Sequence, residues 1–126
     1  MSSTYDSHVA ANCIDDDFRN FCHTLEEAWP WLSIALPNPS TVKYVIIFNR
    51  RGQGMDRLSP FQLWVGASAG DYDSATSAPC GLHNLTAPAT AGPFAFACGS
   101  LSGAYVTLVL PGPSRTLHVA ELRAYT

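Results

Sequence analysis

Short apolar runs alternate along this chain with breaks rich in Gly, Pro and Ser, and strand-like spacing dominates them. Thr41 to Asn49 is the longest run. Val42, Tyr44, Val45, Ile46, Ile47 and Phe48 make it β-branched and aromatic, which suits a pleated strand. Its near-continuous apolarity predicts a central strand covered on both faces. Trp31 to Leu36 reads as a shorter strand ended by Pro37. Further strands are expected at Phe61 to Val65, Pro93 to Cys98, Tyr105 to Leu110 and Thr116 to Tyr125, with Pro111-Gly112-Pro113 stopping the third of these. Ala67 to Ala91 is small, polar and broken, and predicts a surface excursion with at most one short strand. A single helical turn is expected at Thr24 to Ala28, because Pro30 prevents its continuation. Short strands between turn signals predict a β-sandwich or barrel. No repeat or linker tract divides residues 1–126, so a single domain is expected.

Charge then excludes several partner classes. Only 13% of the 126 residues are charged, the net charge is −3, and Lys43 is the sole lysine. Binding a nucleic-acid backbone or an anionic membrane requires clustered Lys and Arg, so neither is expected. No apolar run reaches bilayer length, and Met1 to Tyr5 lacks the basic-then-apolar order of a secretory signal. Cys13, Cys22, Cys80 and Cys98 lack the C-x-x-C clamp of a zinc site and allow three pairings. Two local bridges, Cys13 with Cys22 and Cys80 with Cys98, are the simplest arrangement; four reduced thiols are the alternative. Cysteine usage and the sequon Asn84-Leu85-Thr86 favour a secretory route and an extracellular or cell-surface location. No nucleophile–base set, phosphate-cradling loop or catalytic metal clamp is legible, so an enzyme is not expected.

The candidate chemistry lies in three basic side chains. Arg50 and Arg57 bracket the turn Arg50-Arg51-Gly52-Gln53-Gly54-Met55-Asp56-Arg57, directly after the most strand-like run, and His23 lies on an earlier loop. Arg offers a rigid fork of five donors, which can grip neighbouring oxygens of a neutral polyol. Gathered on loops at one end of a β-scaffold, three such groups predict a pocket for a polar ligand. Taken singly, each reads as a solvated turn arginine or a packed loop histidine. His8, His83 and His118 show no partner pattern, and Trp29, Trp31 and Trp64 read as packing residues.

Ser2-Ser3-Thr4-Tyr5, Asn12-Cys13-Ile14-Asp15, Cys22-His23-Thr24, Pro30-Trp31, Asn49-Arg50, Arg57, Gly103-x-Tyr105-Val106 and Glu121 together resemble the F-type lectins, or fucolectins, of the discoidin-like group. The resemblance runs over essentially the whole chain. It implies an all-β, discoidin-like jelly-roll sandwich of about eight antiparallel strands, with binding loops at one end. It implies a domain that lacks the family's first edge strand and that binds fucosylated glycans or glycoproteins. His23, Arg50 and Arg57 fill the family's sugar-binding pattern, with Phe18 and Phe21 expected as a wall for the methyl group of a 6-deoxy sugar. Gly52 stands at the family's aspartate and Gln53-Gly54 at its adjacent cysteines, so Asp56 is expected to orient one of the arginines instead. Asn12, Asp15, Asp17, Asn20 and Glu121 match positions at which the family binds a structural cation, usually Ca2+, and oxygen ligands suit such an ion. The family often trimerises or repeats in tandem, which implies a homo-oligomer or tandem-domain context. A discoidin-like adhesion module for another glycan or a protein, with a degenerate fucose site, is the alternative.

Overall fold

The computed structural model describes residues 1–126. Six strands form: β1 (Cys22–His23), β2 (Trp31–Asn49), β3 (Gln62–Gly66), β4 (Ala78–Pro79), β5 (Phe94–Val109) and β6 (His118–Tyr125). All pairings are antiparallel, in the order β1-β6-β2-β5-β3-β4. The helical content is two 3-10 turns, at Ala10–Cys13 and Met55–Arg57. The expected turn at Thr24 to Ala28 is not helical. Glu27 and Arg115 exchange both backbone hydrogen bonds, at 3.0 and 2.9 Å, as an isolated bridge. One helical turn fixes several dihedrals for a single hydrogen bond, so a paired extended backbone outcompetes it.

The strands expected at Trp31–Leu36 and Thr41–Asn49 are one strand, as are the two expected around Phe94 and Tyr105. β2 and β5 form a ribbon broken twice in register. Between Ala35 and Ser40 the extra residues fall on β2, where Pro37 and Pro39 need no ladder partner. Between Val42 and Tyr44 they fall on β5, where Gly99 and Ser100 take positive φ values of 59° and 64°. Bulges of this kind bend the strand that carries them. β6 pairs along the Tyr44–Asn49 half of β2 and β3 along the Tyr105–Val109 half of β5. The sheet thus turns over on itself into a discoidin-like β-sandwich. Six strands suffice where about eight were expected, because two of them run through both halves.

A cluster of 19 buried hydrophobic residues fills the interior, including Leu32, Val45, Ile47, Leu63, Val106, Leu108 and Leu122. The second half of β2 is covered on one face only. Val45, Ile47 and Asn49 point inward, whereas Tyr44 stacks on Tyr125 at the surface and Phe48 meets Phe18. β3 shows the reverse departure. All five of its residues are buried, because the 67–91 excursion folds over its outer side. Leu85 bridges Phe61 there, the Gln62 amide donates to Asn84 Oδ1 at 3.1 Å, and the Trp64 indole donates to Gln62 Oε1 at 2.9 Å. The excursion carries the one short strand β4, as expected. Both local disulfides form, Cys13–Cys22 and Cys80–Cys98. The first ties the loop before β1; the second ties the excursion to β5.

Candidate functional site

His23 ends β1 and is held in register opposite His118 of β6. Arg50 follows the last residue of β2, and Arg57 closes the 3-10 turn Met55–Arg57. The turn between them is built on Asn49, which is 1% exposed. Its amide nitrogen donates to the carbonyls of Met55 at 2.9 Å and Thr90 at 3.2 Å, and its Oδ1 accepts from the Arg50 backbone N–H at 2.9 Å. Gly54, at φ 68°, lets the turn lie close on the sheet, since a Cβ there would stand 2.9 Å from His118 Nε2. Arg115 braces the turn from below by donating to the Arg57 carbonyl at 3.0 Å.

These elements bring His23, Arg50 and Arg57 to one cavity of about 520 Å³, lined also by Tyr5, Thr24, Glu26, Gln53 and Thr116. The His23 Nδ1 lies 2.6 Å from the Thr24 carbonyl. A carbonyl only accepts, so Nδ1 carries the proton and Nε2 is left as an acceptor. Burial lowers the His23 pKa, and the Arg50, His8 and Arg57 charges lower it further against the opposing Thr24 hydrogen bond. His23 is therefore neutral at pH 7. Burial and the nearby Arg57 also lower the pKa of Arg50. Neither arginine has a carboxylate partner within ion-pair distance. The cavity thus offers two guanidinium forks and one imidazole acceptor, a set that matches vicinal hydroxyls able to accept from one side and donate to the other.

The expected wall residues sit elsewhere. Phe21 lies under the Arg50 guanidinium, 4.1 Å from ring centroid to Cζ, and stacks on His8 at 4.2 Å, so it supports the fork. Phe18 packs on Phe48 at 4.6 Å, away from the cavity, because its loop turns toward Arg123. Tyr5 instead forms the apolar side, its ring 4.9 Å from that of His23. Asp56 orients neither arginine. It lines a smaller adjoining cavity beside Arg57, and cation–π contact with Phe21 fixes the Arg50 plane in its stead. Gln53 adds a long contact from its Oε1 to Arg50 Nη2 at 3.4 Å. His118 stacks 5.1 Å behind His23 with both ring nitrogens buried and without partners. Nothing in its sequence neighbourhood marked it, since only strand register places it there.

The residues expected around a cation are split. Asp15 and the fully buried Glu121 lie within hydrogen-bonding reach of each other, and Asn20 donates to Asp15 at 3.0 Å. Burial raises the Glu121 pKa, partly offset by the Asp16 backbone N–H at 2.8 Å. The Asp17 carboxylate is turned outward onto Arg19, and the Asn12 amide donates to the Phe21 carbonyl at 3.2 Å. Asp15 and Glu121 are the two carboxylates available to a hard cation, with Arg123 Nε already 3.5 Å from Glu121 Oε2; the side chains of Asp17 and Asn12 do not face them, and the Asp17 carbonyl accepts from the Asn20 N–H at 3.0 Å. No three His, Cys, Asp or Glu side chains converge so as to hold a metal ion by themselves.

No protein-family model matches the sequence. A pentraxin fusion protein of Xenopus laevis is 26% identical over 121 residues, which is 95% of this chain and 27% of that protein. Among solved structures, an f-lectin (fucolectin) from the serum of Morone saxatilis, striped bass, superposes with a TM-score of 0.82 at 25% identity, covering 98% of this chain and 44% of that one. A fucose-binding module of Streptococcus pneumoniae superposes with a TM-score of 0.76 at 23% identity, covering 99% and 90%. The chain resembles the F-type lectins and has their discoidin-like fold. It spans about a quarter of the curated relative and less than half of the bass lectin.

Proposed function

We propose that this domain is a non-catalytic lectin module that binds L-fucose or fucosylated glycans in the His23, Arg50 and Arg57 cavity. The observation that carries the reading is the pairing of a neutral imidazole acceptor with two carboxylate-free guanidinium groups in one loop-lined cavity. Fucolectin and fucose-binding neighbours support it. His23 Nε2 accepts from one sugar hydroxyl, and Arg50 and Arg57 donate to the ring oxygen and adjacent hydroxyls. Each such charge-assisted bond contributes about 1.5–3 kcal/mol. Tyr5 supplies the apolar surface for the methyl group. One open site of this size binds weakly, so avidity comes from clustered glycans or from neighbouring domains.

The same reading places a Ca2+ ion between Asp15 and Glu121, with loop carbonyls completing its shell. The ion ties the loop that leads to β1 and His23 to the last strand. Two disulfides and the lectin neighbours support an extracellular setting. The residues that depart from the family's pattern, Gly52, Gln53, Gly54 and Ala104, favour one second reading, an adhesion module for another glycan or a protein. A glycan array at high density, repeated with free L-fucose as competitor, separates the two. Fucosylated hits abolished by the competitor support the lectin; hits only among unfucosylated ligands, indifferent to fucose, sink it.

A further inference from the structure

The 67–91 excursion carries the sequon Asn84-Leu85-Thr86, which the His23 cavity does not use. A chain of fixed donors sets the Asn84 side chain. The buried Trp64 indole N–H can only donate, and it donates to Gln62 Oε1 at 2.9 Å. That leaves the amide nitrogen of Gln62, a buried residue, with two hydrogens to place. One goes to His83 Nε2 at 3.2 Å and the other to Asn84 Oδ1 at 3.1 Å. Asn84 therefore spends its oxygen inward and turns its amide nitrogen, Nδ2, outward. Neither Nδ2 nor the Thr86 hydroxyl has a partner in the protein, and both residues are exposed. Leu85 between them is buried and exchanges both backbone hydrogen bonds with Phe61, at 2.9 and 2.7 Å. That bridge holds the triplet extended, with its first and third side chains on the open side.

We propose that Asn84 is an N-glycosylation site, with Nδ2 the atom that carries the glycan. The donor is an oligosaccharide joined through its anomeric carbon to a lipid diphosphate. Nδ2 forms the new C–N bond and the anomeric C–O bond breaks. The lipid diphosphate leaves with the electron pair, and Nδ2 releases one proton. The atom that reacts is the one the fold leaves unbonded, so the glycan costs no native hydrogen bond and Oδ1 keeps its contact with Gln62. Leu82, two residues earlier, is 74% exposed, and an attached sugar gives it a polar cover. None of residues 82–86 lines the His23 cavity or the smaller one, so the point of attachment stands clear of the candidate binding site. The Cys80–Cys98 bridge closes the loop that holds Asn84, and a disulfide belongs to the oxidising secretory route in which such transfer occurs. The inference rests on the extracellular setting proposed above and is independent of fucose recognition.

The test directs the full chain into the secretory pathway of a eukaryotic cell, as the parent and as Thr86→Ala and Thr86→Ser. Thr86→Ala removes the hydroxyl that the transfer requires yet keeps the Asn84–Gln62 bond, so a missing glycan there is not a folding failure. The parent should run as a heavier species. An amidase that releases N-glycans should collapse it to the mass of the bare chain, with Asn84 converted to aspartate in the peptide mass spectrum. Thr86→Ser should keep the added mass, and Thr86→Ala should lose it. Protein retained in the cell is read by the same digestion, so poor secretion does not mask the result. A parent with both disulfides formed and Asn84 unmodified overturns the proposal while the lectin reading stands. An added mass that persists in Thr86→Ala overturns it too, because the sugar then sits on another residue.

Discussion

Acid should destabilise this domain through His118, a residue that touches no ligand. Its ring is 3% exposed, both nitrogens lack partners, and burial, then the neighbouring His23, Arg50 and Arg57 charges, push its pKa down to about 3 from 6.5. The unfolded chain takes up a proton near pH 6.5, whereas the fold refuses it until near pH 3, so stability falls as pH drops through that window. Between pH 7 and 4.5 this one group accounts for a loss of about 2–3 kcal/mol, the linkage integral for a shift of this size. His118→Leu removes the titration at similar volume and leaves no orphaned nitrogen behind. Urea unfolding at pH 7 and pH 4.5, on both proteins, reads the difference directly. The variant should lose about 2–3 kcal/mol less than the parent across that interval, all other groups being common to both. Equal losses in the two proteins would refute the argument, and with it the placement of a neutral, unpartnered imidazole behind His23.

Four further outcomes follow from the site. Arg50→Lys keeps the charge but not the fork, and should weaken fucose binding by roughly 1.5–3 kcal/mol by calorimetry, since lysine cannot reproduce a planar pair of donors. Affinity for fucose should hold at neutral pH and decline only below the ordinary histidine range, because the lowered His23 pKa keeps Nε2 an acceptor until then; a rise in affinity on acidification contradicts the assignment. Gly54→Ala should lower both the melting temperature and fucose affinity, costing about 1–3 kcal/mol for positive-φ strain, since its Cβ would press on His118 and the Arg57 side chain. A chelator should lower the melting temperature of the parent, and Glu121→Gln should abolish that effect; an unchanged melting curve speaks against the ion.

Much of the fold was legible, because β-branched runs and proline stops are local signals. Merging the strands was not. Pro37 reads as a terminator, yet a bulge lets the strand continue past it and past Pro39, neither of which can pair. The trio His23, Arg50 and Arg57 was legible through spacing and turn chemistry, and the structure gathers all three at one cavity. What spacing could not supply was orientation. Phe18 and Phe21 sit close to His23 in sequence, but one turns onto Phe48 and the other slides beneath Arg50. Asp56 is one residue from Arg57 yet lines only the smaller cavity and pairs with neither arginine. Tyr5 and His118 reach the site through long-range pairing, from the Tyr5 N–H to the His23 carbonyl at 2.8 Å and from the β1–β6 register, and no local pattern encodes either.

The bent β2–β5 ribbon also governs how the domain comes apart. A sandwich assembled from separate strands can open one sheet while the other persists. Here the same two strands carry the ladders of both halves, with β6 on one arm and β3 on the other. Peeling away either half therefore strips the backbone partner from the other. Amide exchange should show the far end of the ribbon and the binding end sharing one opening free energy, a single cooperative unit in place of separable foldons. The loops that would meet a sugar are thus anchored to the most collective motion the molecule has, and a ligand that steadies them slows the opening of the whole domain.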